Sequence, residues 1–65
     1  MTGEQLRTIR KALAMRQRDL AAELGFHEDH VRHLENGQAR ITERFQKQID
    51  MLLMKKKLEK MLETS

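Results

Sequence analysis

Apolar residues recur along the chain at the three- and four-residue spacing that is typical of amphipathic helices. This pattern predicts four helices, at residues 3–14, 17–24, 28–35 and 43–63. Each predicted helix has an apolar face that the others can cover, which indicates an all-α fold around one small core. The positions expected in this core are Leu6, Ile9, Leu13, Leu20, Ala21, Leu24, Val31, Leu34, Phe45, Ile49 and Leu52.

Residues that begin and end helices lie at the borders of these segments. Thr2 precedes the first helix and is followed three residues later by Gln5, which is the spacing of a capping box. Thr42 can cap the fourth helix through its hydroxyl group. Gly25 and Gly37 follow the second and third helices and can adopt the left-handed conformation that ends a helix. These signals predict two short helices joined by a tight turn.

The fourth predicted helix carries two apolar faces. Phe45, Ile49 and Leu52 lie on one side when successive residues are turned by about 100°. A second apolar set lies on roughly the opposite side, and one helix cannot bury both sides in one small core. We therefore predict that the helix extends beyond the domain and that its second face is a dimer seam, similar to a short coiled coil. The predicted seam comprises Met51, Met54, Leu58, Met61 and Leu62.

Composition narrows the class of protein. The chain has 65 residues and no proline, which favours helix throughout and leaves little room for a substrate cleft. It has no cysteine, so disulfides and thiolate metal sites are excluded. We expect no membrane segment and no signal peptide. The net charge of +3 permits a polyanionic partner, but residues 1–40 hold seven basic and six acidic side chains. A DNA-binding interpretation must therefore rest on a motif.

The segment from Gln17 to Gly37 carries such a motif. Its sequence is QRDLAAELGFHEDHVRHLENG, and with the flanking helices it resembles the lambda-repressor-like, or Xre/Cro-like, family of helix-turn-helix regulators over residues 4–53. The small Ala21 suits a close helix crossing, and Gly25 suits the sharp turn between the two helices. The resemblance implies a four-helix domain over residues 1–65 whose third helix enters the major groove of double-stranded DNA.

The resemblance also assigns roles to individual residues. The outward positions of the third helix are expected to read base edges, and they are Glu28, Asp29, Arg32 and His33. Phosphate contacts are expected from Arg16, Gln17, Arg18, His27, Asn36, Gln38 and Arg40. Arg10 and Glu35 match a family pair that bridges helices one and three, and we interpret this pair as structural.

Three features depart from the simplest form of this motif. Arg16 stands where many relatives have a capping Ser or Thr, so the second helix is expected to be frayed or capped in another way. Glu28 and Asp29 place two acids at the tip of the third helix, where they either accept from cytosine or only favour the helix start. His27, His30 and His33 recur at a spacing of three, but they lack the other ligands of a metal site. We expect no metal and no cofactor.

These observations predict a sequence-specific repressor rather than an enzyme. We expect a homodimer on an inverted-repeat operator, with no small-molecule substrate, in the cytoplasm of a bacterial or phage-infected cell and associated with the nucleoid. The resemblance includes regulators of phages and other mobile elements, and antitoxin-like autorepressors. The alternative function is a protein-interaction adaptor on the same fold, which the nearly balanced charge of the first 40 residues favours.

Overall fold

A computed structural model describes residues 1–63 of the chain. Within this range the fold is all-α, as predicted, and contains no strand. Its four helices are α1 (Gly3–Ala12), α2 (Gln17–Leu24), α3 (Glu28–Glu35) and α4 (Glu43–Glu63). The bounds of α2, α3 and α4 coincide with the predicted segments, whereas α1 is two residues shorter than expected.

The first helix begins and ends with a defined hydrogen-bonding motif. The Thr2 hydroxyl accepts from the Gln5 backbone N–H at 3.1 Å, and the Gln5 side chain accepts from the Thr2 N–H at 2.8 Å. These two bonds form the predicted capping box. At the other end Ala14 adopts a left-handed conformation with φ of 56°, so the helix cannot continue to residue 14. The predicted end of this helix at Ala14 was therefore wrong.

The interior of the domain is formed by apolar residues from all four helices. The buried set is Leu6, Leu20, Ala21, Val31, Leu34, Phe45, Ile49 and Leu52. The other predicted core residues, Ile9, Leu13 and Leu24, are partly buried and pack against this set. Each short helix therefore contributes only one or two buried apolar residues, and the core depends on α4 to close it.

Helices α1 and α3 approach each other closely at Gly3. A Cβ atom at this position would lie 2.5 Å from the carbonyl oxygen of Glu35 and 2.6 Å from that of Leu34. Backbone atoms cannot move aside as a flexible side chain does, so only glycine fits here. The start of α1 is thereby packed directly on the last turn of α3.

The fourth helix covers the core with its first half and continues beyond it. Its start is capped by Thr42, whose hydroxyl accepts from the Phe45 N–H at 3.1 Å. Phe45, Ile49 and Leu52 are buried, and no residue of α4 after Leu52 is buried in the described part of the chain. The molecule measures 42 by 21 by 20 Å, and the long dimension reflects this extension. The second half of α4 therefore extends from the domain as a largely exposed helix.

Candidate nucleic-acid interface

A tight turn sets the angle between α2 and α3. Gly25 has φ of 79°, and the Phe26 N–H donates back to the Ala21 carbonyl at 2.8 Å. These features form a Schellman motif, which ends α2 and redirects the chain within three residues. Ala21 is only 2% exposed because it lies at the contact between the two helices. The predicted reasons for a small residue and a glycine at these positions therefore apply in the structure.

The third helix has one buried face and one exposed face. Val31 and Leu34 are fully or almost fully buried, whereas Arg32 and His33 are exposed. Glu28 at the first helical position is also exposed, and Asp29 is partly exposed. The four residues expected to read bases therefore lie together outside the core, on a helix held in place by its opposite face.

An ion pair connects two of these four residues. Asp29 Oδ1 lies 2.9 Å from Arg32 Nη2, one turn apart on α3. His27 precedes the helix, and its Nδ1 accepts from the Asp29 backbone N–H at 3.1 Å. His27 therefore caps α3, which sequence reasoning did not predict, and only Nε2 of its ring remains for a phosphate. In the isolated chain the Arg32 guanidinium group is held beside a carboxylate instead of extending freely from the helix.

The start of α2 is capped through a side chain of its own first turn. Asp19 accepts from the Arg16 backbone N–H at 2.9 Å, and its carboxylate also accepts from the Arg16 guanidinium group at 2.9 Å. The hydrogen bonds from Arg16 hold the pKa of Asp19 below its usual range. Of the two expected alternatives, a frayed helix or one capped in another way, the structure shows the second. Arg18 is exposed beside it, while the Arg16 side chain is paired with Asp19.

The expected phosphate contacts after α3 lie where the chain leaves that helix. Asn36 ends α3, and Gly37 follows with φ of 78°. The side chains of Gln38 and Arg40 are exposed. His27 precedes α3 and this loop follows it, so polar side chains lie at both ends of the helix, and Gln17 at the start of α2 contacts Glu35 at the end of α3.

Comparison with known protein families identifies this arrangement. A family model described as a helix-turn-helix domain matches residues 2–54. The chain belongs to the helix-turn-helix family. The match is consistent with the lambda-repressor-like resemblance of the sequence, and it leaves the end of α4 outside the matched range. A search of curated proteins and a search of solved structures each found no match.

Membership in the family indicates a DNA-binding regulator, in a class that is typically non-enzymatic. No group of three or more His, Cys, Asp or Glu side chains in residues 1–63 is arranged to hold a metal ion. None of the helices in that range combines the length and apolarity needed to cross a lipid bilayer.

A buried carboxylate holds the helix-turn-helix domain together behind the exposed face. The Glu35 side chain is fully buried and accepts from Arg10 Nε at 2.6 Å and Arg10 Nη2 at 3.1 Å. Arg7 Nε donates to the same carboxylate at 3.4 Å, and Gln17 Nε2 donates at 3.2 Å. Arg10 Nη1 also donates to the Met15 carbonyl at 2.9 Å. One carboxylate therefore joins α1, α2 and α3.

The pKa of Glu35 reflects this set of contacts. Burial raises the pKa of the carboxyl group. Hydrogen bonds from Arg10 and Gln17 and the positive charge of Arg10 lower this pKa, and together they outweigh the effect of burial. The net pKa lies below the ordinary value for a glutamate, so Glu35 is ionised at neutral pH. A buried carboxylate is stable in its ionised state when donor groups surround it, as the three side chains do here.

The hydrogen bonds to Glu35 involve two polar residues for which the sequence did not predict this contact. Gln17 was expected at a phosphate, yet its side chain already donates to Glu35 and has one amide hydrogen left. Arg7 was not predicted to have any role, yet it donates to both Glu35 and the Asn36 side chain. A signal for Arg7 was present, because it lies one turn before Arg10 on the same side of α1.

A cluster of rings joins the turn of the helix-turn-helix domain to α4. The centroid of the His30 ring lies 4.7 Å from that of Phe26 and 6.1 Å from that of Phe45. Phe26 and Phe45 lie 5.7 Å apart. The side chain of His30 packs against both aromatic rings. We therefore interpret it as part of the α3 and α4 contact.

The predicted seam lies on the exposed side of α4. Met51, Met54 and Leu58 are 70%, 66% and 55% exposed, and these values are large for apolar side chains. Met61 and Leu62, which complete the predicted seam, are also mostly exposed in this structure. Lys56 lies on the other side of the helix, where its Nζ is 3.9 Å from a carboxylate oxygen of Glu23 in α2. The domain and the exposed apolar face are therefore on opposite sides of α4.

Proposed function

We propose that this protein is a sequence-specific DNA-binding repressor that acts as a homodimer on an inverted-repeat operator. The observation that carries the proposal is the exposed polar face of α3, which belongs to a helix-turn-helix domain and is held against the core by its buried face. An α-helix of this kind fits the major groove, where each base pair presents a distinct pattern of donors and acceptors.

The side chains on α3 are suited to base recognition. Arg32 can donate two hydrogen bonds to a guanine, and a carboxylate of Glu28 or Asp29 can accept from the amino group of a cytosine. Because Asp29 and Arg32 are paired in the isolated chain, contact with a base pair requires them to separate or to act together. His33 lies on the same exposed face and supplies a further donor or acceptor.

The groups at both ends of α3 are suited to hold the DNA backbone. Arg18 and the remaining amide hydrogen of Gln17 lie at the start of α2, and the Arg16 guanidinium group is also available if it leaves Asp19. The other candidates are His27, which precedes α3, and Asn36, Gln38 and Arg40, which follow it. Contacts of this type fix orientation on the duplex and contribute affinity to all sequences alike.

A second copy of the chain is the proposed partner of the apolar face on α4. Exposed apolar side chains that adjoin one another along a helix are unfavourable in water, and pairing two such faces removes them from solvent. Two linked domains bind a palindrome far more tightly than one domain binds a half-site. Such a dimer represses by covering a promoter. The expectation of a phage or mobile-element source rests on the family resemblance alone.

Selection of bound sequences from a random duplex pool tests the proposal directly. We expect a palindromic consensus whose half-sites are separated by about one helical turn, roughly 34 Å, and binding that weakens steeply with salt. Arg32→Ala is expected to relax one position of the consensus. Arg40→Ala, as the matched control, is expected to weaken binding to all sequences and to lower the salt slope. The absence of any consensus would overturn the proposal.

A protein-interaction adaptor, including an antitoxin-like module, is the second candidate. The observation that favours it is the ion pair between Asp29 and Arg32, which neutralises positive charge on the face expected to meet DNA. An adaptor predicts little or no salt-dependent affinity for duplex DNA. Titration of labelled duplexes at two salt concentrations therefore separates the two functions.

A further inference from the structure

The exposed face of α4 has a register that can be written as a coiled-coil heptad. Met51 and Leu58 occupy a positions and Met54 occupies the d position between them. In this register the flanking g positions hold Asp50 and Lys57, and Lys55 is at an e position between them. The charges beside the apolar face therefore change from negative to positive along the helix, and their order can decide how two copies align.

We propose that a second copy docks on this face with the two α4 helices parallel and in register. This inference rests on the proposed homodimer and adds its orientation and its ion pairs. In a parallel coiled coil a g residue faces the e residue of the partner five positions later. Asp50 of each chain then faces Lys55 of the other, and the two-fold axis creates this attraction twice.

The isolated chain leaves these charges available for a partner. Asp50 and Lys55 are both exposed, and neither forms an ion pair with any residue among positions 1–63. Lys56, in contrast, contacts Glu23 and Glu59 on the other side of the helix. The groups next to the apolar face are thus the ones without an internal partner, which is the distribution expected of an interface.

The antiparallel alignment is disfavoured by the same charges. An antiparallel pairing that keeps the apolar residues in contact places Met54 opposite Leu58 of the other chain. In an antiparallel pair an e residue faces an e residue and a g residue faces a g residue, so that alignment brings Lys55 beside Lys55 and Lys57 beside Lys57 of the other chain. Like charges at adjacent positions repel, so the antiparallel dimer replaces two attractions with two repulsions.

The position of the domain is compatible with the parallel arrangement. Ile49 and Leu52 attach the domain to one side of α4, and the Lys56 contact with Glu23 continues along that side. A partner helix on the opposite side does not contact the buried residues that attach the domain. Both domains then lie at the same end of the paired helices, related by a two-fold axis that runs along the pair.

Disulfide cross-linking tests the orientation, because the wild-type chain has no cysteine. In the parallel dimer, Met51→Cys places the two new thiols next to each other, and we expect a covalent dimer on mild oxidation. In the antiparallel alignment these residues are about 15 Å apart along the axis, beyond the reach of a disulfide. Glu59→Cys, on a different side of the helix, is the matched control and should remain monomeric on a reducing-agent-free gel.

Charge reversal gives an independent test whose outcome differs between the two orientations. Lys55→Asp places two acids together in the parallel dimer, so we expect its dissociation constant to rise about 5- to 30-fold by sedimentation equilibrium. Asp50→Lys should have a similar effect, and an equal mixture of the two variants should associate as tightly as the wild type. In the antiparallel dimer Lys55→Asp would replace one like-charge contact with another, so its dissociation constant should stay close to that of the wild type.

The outcomes also separate this inference from the homodimer on which it rests. A wild-type chain that stays monomeric up to millimolar concentration would overturn both. A wild-type dimer in which Met51→Cys fails to cross-link, or in which Lys55→Asp associates as tightly as the wild type, would overturn the parallel orientation and leave the homodimer standing. Cross-linking together with rescue by the mixed charge variants supports the parallel dimer.

Discussion

The ends of the first three helices can be compared within this one chain, and the comparison predicts how stability depends on the residue at each end. Each helix ends with the same backbone motif, in which a left-handed residue follows the last turn. The left-handed residue is Ala14 after α1, Gly25 after α2 and Gly37 after α3, with φ of 56°, 79° and 78°. At Ala14 the motif is completed by the Met15 N–H, which donates to the Arg10 carbonyl at 3.2 Å. Alanine thus occupies a position that elsewhere in this chain is glycine.

We expect Ala14→Gly to stabilise the protein and Gly25→Ala to destabilise it by a similar amount. A left-handed conformation costs a residue with a Cβ about 1 to 2 kcal/mol. Glycine also lowers the stability by about 0.4 to 1 kcal/mol, because it makes the unfolded chain more flexible. The net effect is about 1 kcal/mol in each direction. A Cβ at Gly25 would meet nothing within 4 Å, so this comparison contains no steric clash.

Thermal unfolding followed by circular dichroism measures both changes. A difference of about 1 kcal/mol corresponds to about 4 to 8 °C in Tm for a domain of this size. Both variants and the wild type should be compared at one protein concentration, because a dimer gains stability with concentration. Gly37→Ala is the second control and should resemble Gly25→Ala. A lower Tm for Ala14→Gly would refute the reasoning, since it would mean that Ala14 is not strained.

Three further predictions concern the contacts behind the exposed face. Gly3→Ala should cost about 1 to 3 kcal/mol in urea unfolding, because its Cβ would overlap the Glu35 carbonyl; an unchanged midpoint would show that the helices can separate at no cost. Glu35→Ala and Arg10→Met should each cost about 3 to 5 kcal/mol, because either change leaves the other charge of the pair without its partner; an unchanged midpoint for either variant would contradict the buried pair. Since the folded pKa of Glu35 is lowered, its contribution to stability is present above the ordinary glutamate pKa of about 4.3 and is lost as the pH falls through the folded pKa. Glu35→Gln should therefore be less stable than wild type at pH 7, and the difference should shrink in acid; a constant difference from pH 7 to pH 3 would show that folding does not lower the pKa of Glu35.

The parts of the fold that could be predicted are those with a local signal. The apolar periodicity of α2 and α3 ends at a glycine in each case, and the capping hydroxyl of Thr42 marks the start of α4. The end of α1 has no such signal, because Ala14 is among the best helix formers and its left-handed conformation is imposed by the surrounding contacts. Propensity was overridden there by tertiary structure.

The sequence predicted which side chains of the candidate site are exposed, but it did not predict the contacts between them. The exposed position of Arg32 follows from the period of α3, but its ion pair with Asp29 depends on side-chain rotamers. The shared role of Arg7 and Gln17 at Glu35 required knowledge of how three helices meet. Gly3 gave no sequence signal either, because its role depends on the backbone of another helix.

The unequal attachment of α3 has a consequence for its motion. Its last residue, Glu35, is bound to three side chains from two other helices, whereas its first turn is held by the exposed cap of His27. Amide hydrogens at the end of α3 should exchange with solvent only when the whole domain unfolds, while those of its first turn should exchange through local opening. The end of the helix that carries Glu28 and Asp29 can therefore adjust to a DNA sequence without loosening the core.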